Sequence, residues 1–195
     1  MNIQEKTEIR KQVLEYREAI DISMRSKWDE SIFNKLVNSD LYKKANTIFA
    51  FVSFRSEVDT HEIIKYAIKD GKTICVPKIQ SKQKGMEIFK INGFEQLEKG
   101  YYGILEPTES CSTIDSKELD LILIPGVAFD RKGGRVGYGA AFYDRFLAEL
   151  DKKVDKIALA YHFQVLDNVP MDEHDIRIDG VITEEEFIIN ENCGN

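Results

Sequence analysis

The stretch that most constrains the fold runs from Asp120 to Leu150. It opens with Leu121-Ile122-Leu123-Ile124, an unbroken apolar run closed at once by Pro125-Gly126. A run that short and that sharply ended predicts a strand buried on both faces, the kind found in a sheet covered by helices on each side. A glycine-rich passage follows, with Gly133, Gly134, Gly137 and Gly139 set around Arg135 and Tyr138. Helical periodicity then begins, with Phe142, Tyr143, Phe146, Leu147 and Leu150 on one face and Asp144 and Arg145 off it.

Strand, glycine loop and helix start form a geometry in which backbone N–H groups and the helix dipole hold phosphate. Two familiar versions do not fit. A P-loop needs Gly-Lys-Ser/Thr before its helix, and this chain has Gly139-Ala140-Ala141. The dinucleotide turn places its glycines immediately after the strand, and here they come later. The glycines alone are also compatible with plain turns. Arg135 and Asp144 favour a site, because they offer an anion contact and a carboxylate able to hold magnesium beside it.

The remaining elements alternate. Ile3 to Ile20 predicts a helix, with Ile9, Val13, Tyr16 and Ile20 as its apolar face, and a second helix follows from about Lys27 with Ile32, Phe33, Leu36 and Val37 inward. Thr47 to Val52 is a strand, Ser56 to Thr60 starts a helix that buries Ile63, Ile64, Ala67 and Ile68, and Asp70-Gly71 ends it. A second strand, Thr73 to Val76, is stopped by Pro77, and the three pieces make a parallel crossover unit. Gln80 to Gly85 reads as a surface loop, Met86 to Ile91 as a strand turned by Asn92-Gly93, and Gly103 to Pro107 as extended. Lys156 to Ala160 and Gly180 to Thr183 supply two more strands, and Glu184-Glu185-Glu186 reads as solvated charge. With no repeat or linker, residues 1–195 are expected to form one α/β domain.

Several function classes are disfavoured. A net charge of −7 is unsuited to a general nucleic-acid binder, which needs clustered positive charge. No stretch approaches the roughly 18 apolar residues of a membrane span. The opening MNIQEKTEIRKQ has no apolar core and is not expected to be a signal peptide. Cys75, Cys111 and Cys193 are far apart, as expected of reduced thiols in a cytoplasmic protein.

Three sequence segments, taken together, resemble one family. Pro125-Gly126-Val127-Ala128-Phe129-Asp130, Gly134-Arg135-Val136-Gly137-Tyr138-Gly139 and Phe142-Tyr143-Asp144-Arg145-Phe146-Leu147 match in order, spacing and residue type the signature of 5-formyltetrahydrofolate cyclo-ligases. The resemblance implies a three-layer Rossmann-like domain with a mostly parallel sheet, of the kind also seen in sugar-phosphate isomerases and acyl-CoA transferases. It implies ATP- and magnesium-dependent ring closure of 5-formyltetrahydrofolate, with small-molecule substrates and no nucleic-acid or membrane partner; the sequence leaves the oligomeric state open, and a monomer is the expectation.

It also implies roles residue by residue. Lys6 and Arg10 lie one helical turn apart, which alone would suit a solvated basic stripe; in the family this pair meets ATP, and Lys11 is a weaker third. Gly134, Arg135, Val136, Gly137, Tyr138, Gly139, Ala140, Ala141, Phe142 and Tyr143 are assigned to ATP, with Arg135 and Asp144 catalytic. Glu57, which by position would also suit a helix N-terminal charge, is assigned to the pterin ring, whose paired N–H groups a carboxylate can accept. Val52, Tyr138 and Phe142 join it at the substrate. Asp144 and Asp175 are the magnesium carboxylates, the latter within Pro170 to Asp179; His61 and His162 read as a helix-surface and a packing residue. One departure stands out: the family has Gly-Gly-Gly or Gly-Lys-Gly where this chain has Gly139-Ala140-Ala141. Ala141 is expected in the first helical turn with negative φ. The departure motivates an alternative, a nucleotide- or folate-binding module without turnover. An isomerase or transferase of similar fold would need a base or nucleophile that has no signature here.

Overall fold

The computed structural model describes residues 2–190 apart from 82, 101–102 and 151–152. Cys193 lies outside them. In chain order the elements are α1 (Asn2–Ala19), α2 (Ile22–Asn38), α3 (Asp40–Lys44), β1 (Thr47–Ala50), α4 (His61–Lys69), β2 (Thr73–Ser81) and β3 (Gly85–Ile91). There follow β4 (Leu97–Lys99), β5 (Leu105–Pro107), β6 (Leu121–Ile124), β7 (Ala128–Asp130), β8 (Arg135–Val136) and α5 (Phe142–Ala148). The chain ends with β9 (Asp155–Leu159), β10 (Val165–Leu166), β11 (Gly180–Ile182) and β12 (Phe187–Ile189).

The main sheet has seven strands in the order β12-β11-β9-β6-β1-β2-β3. The five inner strands are parallel, and the two edge strands β12 and β3 are antiparallel to their neighbours. Alternation along the strands divides the core. Ile48, Ala50, Ile74, Leu121, Leu123 and Ile157 face α2, α3 and α4. Phe49, Cys75, Ile122, Ile124 and Ala158 face α5 and the segment around Phe129. Two covered faces explain why LILI reads as continuous rather than alternating apolar sequence.

From β1 the chain crosses to β2 on one side, whereas from β6 it crosses to β9 on the other. The crevice between the carboxyl ends of β1 and β6 is therefore the switch point, where such sheets hold ligands. The loop carrying Glu57 follows β1, and the glycine-rich segment follows β6.

Four expectations are corrected. β2 continues through Pro77 to Ser81, because it pairs with β1 only as far as Cys75 and beyond that is hydrogen-bonded as a strand to β3. A proline is tolerated where its missing N–H would face an open side. The region from Gln80 to Gly85 is thus the tip of a hairpin rather than a free loop. The second helix starts at Ile22, capped by the Asp21 carboxylate on Ser23 N–H at 2.8 Å. Glu184 and Glu186 are structured: the Glu184 carbonyl accepts from Ser31 and Lys35, its carboxylate accepts His162 N–H, and β12 follows directly.

Candidate active site

The first helix turns only part of its expected apolar face inward: Val13 is buried and Ile9 packs beside it, but two cations are buried on the same helix. Its buried positions are Lys6, Val13 and Arg17, while Tyr16 is 57% exposed and only lays its ring edge on Phe163. The surface beneath α1 explains this. It presents the carboxylates of Asp172 and Asp175, the Gly137 carbonyl, and the hydroxyls of Ser56 and Tyr138, which are partners for cations rather than for isoleucine. Arg10 donates from Nε to the Gly137 carbonyl at 2.7 Å. Lys6 donates to Asp172 at 2.6 Å and to Asp175. Burial opposes the Lys6 charge, but the hydrogen bonds and charges of the two aspartates outweigh it and hold its pKa above the ordinary value. Lys11 is exposed on another face.

What reads as one glycine loop is two structures. Its first half is the β7–β8 hairpin, whose turn is organised by Asp130 accepting from the N–H groups of Lys132 and Gly134. A Cβ on Gly134 would stand 2.5 Å from Asp130 Oδ2 and 2.6 Å from Val169, so only glycine fits there. Gly134 and Val136 are committed to this hairpin and to the small cluster formed with Val13, Val127 and Val169. Arg135 is carried by β8 rather than by a loop, and it is buried. Its Nη2 binds Asp144 Oδ1 at 2.7 Å, its Nη1 reaches the Pro125 carbonyl, and its Nε has no partner among the described residues. Gly137 gives this guanidinium room, because a Cβ there would lie 2.9 Å from Nη1.

The second half, Gly137 to Ala141, is the open part. Gly139 has φ +101, and Ala141 has φ 53, ψ 22. The expectation that Ala141 is already helical is therefore wrong: it occupies the left-handed region and immediately precedes α5. Its carbonyl accepts the Arg145 N–H, so α5 closes its first turn on a residue with an unfavourable conformation. Asp144 sits in that first turn and also accepts the Ile176 N–H at 3.2 Å, which brings the 175–176 peptide against it.

Asp175 accepts the Asp172 N–H and the Lys6 ammonium on Oδ2. Among the described residues these contacts use only Oδ1 of Asp144 and Oδ2 of Asp175, so each carboxylate keeps a second oxygen. Two hard carboxylates flanked by Lys6 and Arg135 suit magnesium, which keeps waters and takes phosphate oxygens for its other positions. Among the described residues no group of three or more His, Cys, Asp or Glu side chains is arranged to hold a metal.

Across the switch point, Glu57 accepts Phe54 N–H at 2.8 Å on one oxygen and the Tyr138 hydroxyl at 2.5 Å on the other. Burial raises its pKa, opposed by these hydrogen bonds and by the charge of Arg17. A cleft of about 540 Å³ leads to Glu57, lined among others by Phe54, Arg55, His61 and Leu105. His61 is thus a cleft residue rather than a simple helix-surface one: its ring lies 5.0 Å from Phe94 and its Nε2 contacts the Ser53 carbonyl. Val52 is buried beneath the same loop. Tyr143 stacks on Phe49 at 5.9 Å, whereas Phe142 faces outward with the Arg145 guanidinium over its ring.

The structure therefore brings Lys6, Arg10, Arg135, Asp144 and Asp175 together and joins them to Glu57 through Tyr138. Sequence reading missed Arg17, although Lys6, Arg10 and Arg17 fall at helical spacing and would have pointed to it.

Comparison with known proteins gives a consistent result. The model of the 5-formyltetrahydrofolate cyclo-ligase family matches residues 2–184. A probable 5-formyltetrahydrofolate cyclo-ligase of Caenorhabditis elegans is 32% identical over 82% of this chain and 83% of its own. The mouse 5-formyltetrahydrofolate cyclo-ligase is 32% identical over 77% and 79%. The 5,10-methenyltetrahydrofolate synthetase structure from Aquifex aeolicus superposes with a TM-score of 0.85 at 30% identity, covering 95% of this chain and 93% of that one.

Proposed function

This chain belongs to the 5-formyltetrahydrofolate cyclo-ligase family, and from that premise we propose that it closes 5-formyltetrahydrofolate to 5,10-methenyltetrahydrofolate while ATP is split to ADP and phosphate. The observation that carries this reading is the convergence of Lys6, Arg10, Arg135, Asp144 and Asp175, from separate parts of the chain, linked through the Tyr138 segment to Glu57, which lines the cleft.

The chemistry asks little covalent work of the protein. A formyl oxygen on N5 is a poor leaving group, and transfer of the γ-phosphoryl group onto it makes a good one. The N10 amine then attacks the formyl carbon, and inorganic phosphate leaves with that oxygen. Such transfer depends on positioning and charge neutralisation. Lys6, Arg10 and Arg135 neutralise phosphate charge, and the backbone from Gly137 to Ala141 lies over it. Asp144 and Asp175 would hold magnesium, which supplies further neutralisation of the phosphate oxygens. Glu57 accepts paired N–H donors of the pterin above Val52, with Tyr138 beside the ring. A cytoplasmic place suits such a folate enzyme.

Among the described residues no helix is long and apolar enough to cross a membrane. The test is incubation with 5-formyltetrahydrofolate, ATP and magnesium while the methenyl absorbance band is followed. The band should grow only when all three are present. Binding of both substrates with no band would overturn turnover in favour of a binding module.

A further inference from the structure

We propose that Arg17 is a positioning residue for substrate recognition: through Tyr138 it holds Glu57 so that one acceptor site on each carboxylate oxygen stays free for a ligand edge bearing two N–H donors. The inference rests on the assignment of Glu57 to the substrate and goes beyond it to the device that orients the carboxylate.

The geometry is a chain of three side chains, one from α1, one from the loop after β1 and one from the loop between β8 and α5. Arg17, on α1, is only 4% exposed, and no carboxylate lies within ion-pair distance of it among the described residues. Its Nε donates to Ser56 Oγ at 3.1 Å and its Nη2 to the Tyr138 hydroxyl at 3.0 Å, with the guanidinium carbon 5.8 Å from that ring's centre. A buried cation without a direct partner is costly unless its charge is met through a bridge. The bridge is the Tyr138 hydroxyl, which passes on to Glu57 at 2.5 Å.

Hydrogen-bond direction gives the bridge its purpose. A guanidinium can only donate, so the Tyr138 oxygen accepts from Arg17 and its single proton must go to Glu57. A carboxylate has about four acceptor sites, two on each oxygen. Tyr138 O–H takes one on Oε1, and Phe54 N–H takes one on Oε2. One remains on each oxygen, which is the pattern a paired N–H edge requires. Without Arg17 the hydroxyl is free to rotate, and Glu57 loses both a fixed donor and the neighbouring positive charge. The helix that carries Lys6 and Arg10 towards phosphate thereby also sets the carboxylate on the other side of the crevice.

The test is a double-mutant cycle read by calorimetry, titrating 5-formyltetrahydrofolate and, separately, a non-hydrolysable ATP analogue. Arg17→Gln should weaken the folate about tenfold, the scale of one charge-assisted hydrogen bond, and leave the nucleotide within about twofold. Arg17→Gln combined with Glu57→Gln should bind folate no worse than Glu57→Gln alone, and Arg17→Lys should recover part of the loss. If the two substitutions multiply in full, or if Arg17→Gln leaves folate unchanged while Glu57→Gln weakens it, the inference is overturned. If Glu57→Gln itself has no effect, the substrate assignment fails, and the positioning role falls with it. Should Arg17→Gln not fold, Tyr138→Phe replaces it in the cycle, since the ring is half-exposed and must show the same non-additivity with Glu57→Gln.

Discussion

Lys6 and Asp175 lie 169 positions apart in sequence and are bonded side chain to side chain, the ammonium of one on the carboxylate of the other. The cation expected at phosphate and a carboxylate expected at the metal therefore neutralise each other in this structure. Lys6→Met removes the cation and leaves Asp172 and Asp175 facing each other without it. Nucleotide affinity should fall about tenfold or more, as expected for a lost charge-assisted contact to phosphate. Titration with an ATP analogue checks this, and an unchanged affinity would remove Lys6 from the phosphate set.

Asp144→Asn should lower turnover on the order of 10²-fold, because it removes charge from the proposed metal position while preserving shape. By sequence Asp144 lies off the apolar helix face, which predicts little effect on folding. The structure alters that expectation, since Asp144 is the partner of the buried Arg135. Weakening that pair should cost about 1–3 kcal/mol of stability. Denaturant unfolding at neutral pH measures it, and an unchanged midpoint would count against the pair as an anchor.

Glu57→Gln should weaken folate binding, with a loss of about 1–3 kcal/mol, because it turns one acceptor into a donor facing the ligand's own donors. Burial raises the Glu57 pKa despite Tyr138, Phe54 N–H and Arg17. The ionised form needed for paired acceptance is therefore lost at a higher pH than for an ordinary carboxylate. Folate affinity should decline on acidification before exposed carboxylates begin to titrate. Affinities measured across the acid range in parent and Glu57→Gln decide the point, because the variant should lack that decline.

Ala141 holds a left-handed conformation that costs a non-glycine residue about 1–2 kcal/mol. Ala141→Gly removes that cost but gives the unfolded chain about 0.4–1 kcal/mol more freedom. The net expectation is a gain of about 0.5–1 kcal/mol, seen as a higher melting temperature. Ala141→Val should go the other way and by more, because β-branching is poorly tolerated at positive φ. If the parent lacks cyclisation and Ala141→Gly restores it, the binding-module alternative describes this chain better.

Alkaline pH should destabilise the fold from about pH 10 upward. Burial first, with neighbouring carboxylates adding to it, raises the phenols of Tyr42, Tyr138 and Tyr161 above their ordinary value. The folded state thus keeps protons that the unfolded state releases, so stability is full below the unfolded pKa and falls as pH rises above it. Lys6 acts in the same direction for a different reason, since its raised pKa reflects its pairing with the aspartates. Beyond the signal of exposed phenols such as Tyr16 and Tyr66, further tyrosinate absorbance should therefore appear together with loss of structure, and Tyr161→Phe should flatten the decline in melting temperature.

Much of the fold was legible because its signals are local. LILI ended by Pro-Gly, the helix ending at Asp70-Gly71, and the strand–helix–strand spacing from Thr47 to Val76 each reflect propensity and burial within a few residues. β12 was missed because a three-residue edge strand following three glutamates has no pattern of its own; β11 supplies its register. The β7–β8 hairpin was missed because its glycines resemble a phosphate loop, and only contact with Asp130 and Val169 shows why Gly134 is there.

By itself the sequence determined the layered α/β architecture, the family pattern from Pro125 to Leu147, and the residue types able to meet phosphate, metal and pterin. Only the tertiary structure decided that α1 buries Lys6 and Arg17 along with Val13, that Arg17 belongs beside Lys6 and Arg10, and that Ala141 is left-handed. The physical reason is that local periodicity reports where apolar surface is available, whereas the inward face of a helix is chosen by what it lands on. Here α1 lands on carboxylates, a carbonyl and hydroxyls brought from Ser56, Gly137, Tyr138 and Asp172 to Asp175. Burying Lys6 and Arg17 against those partners is favourable in a way that no window of neighbouring residues can reveal.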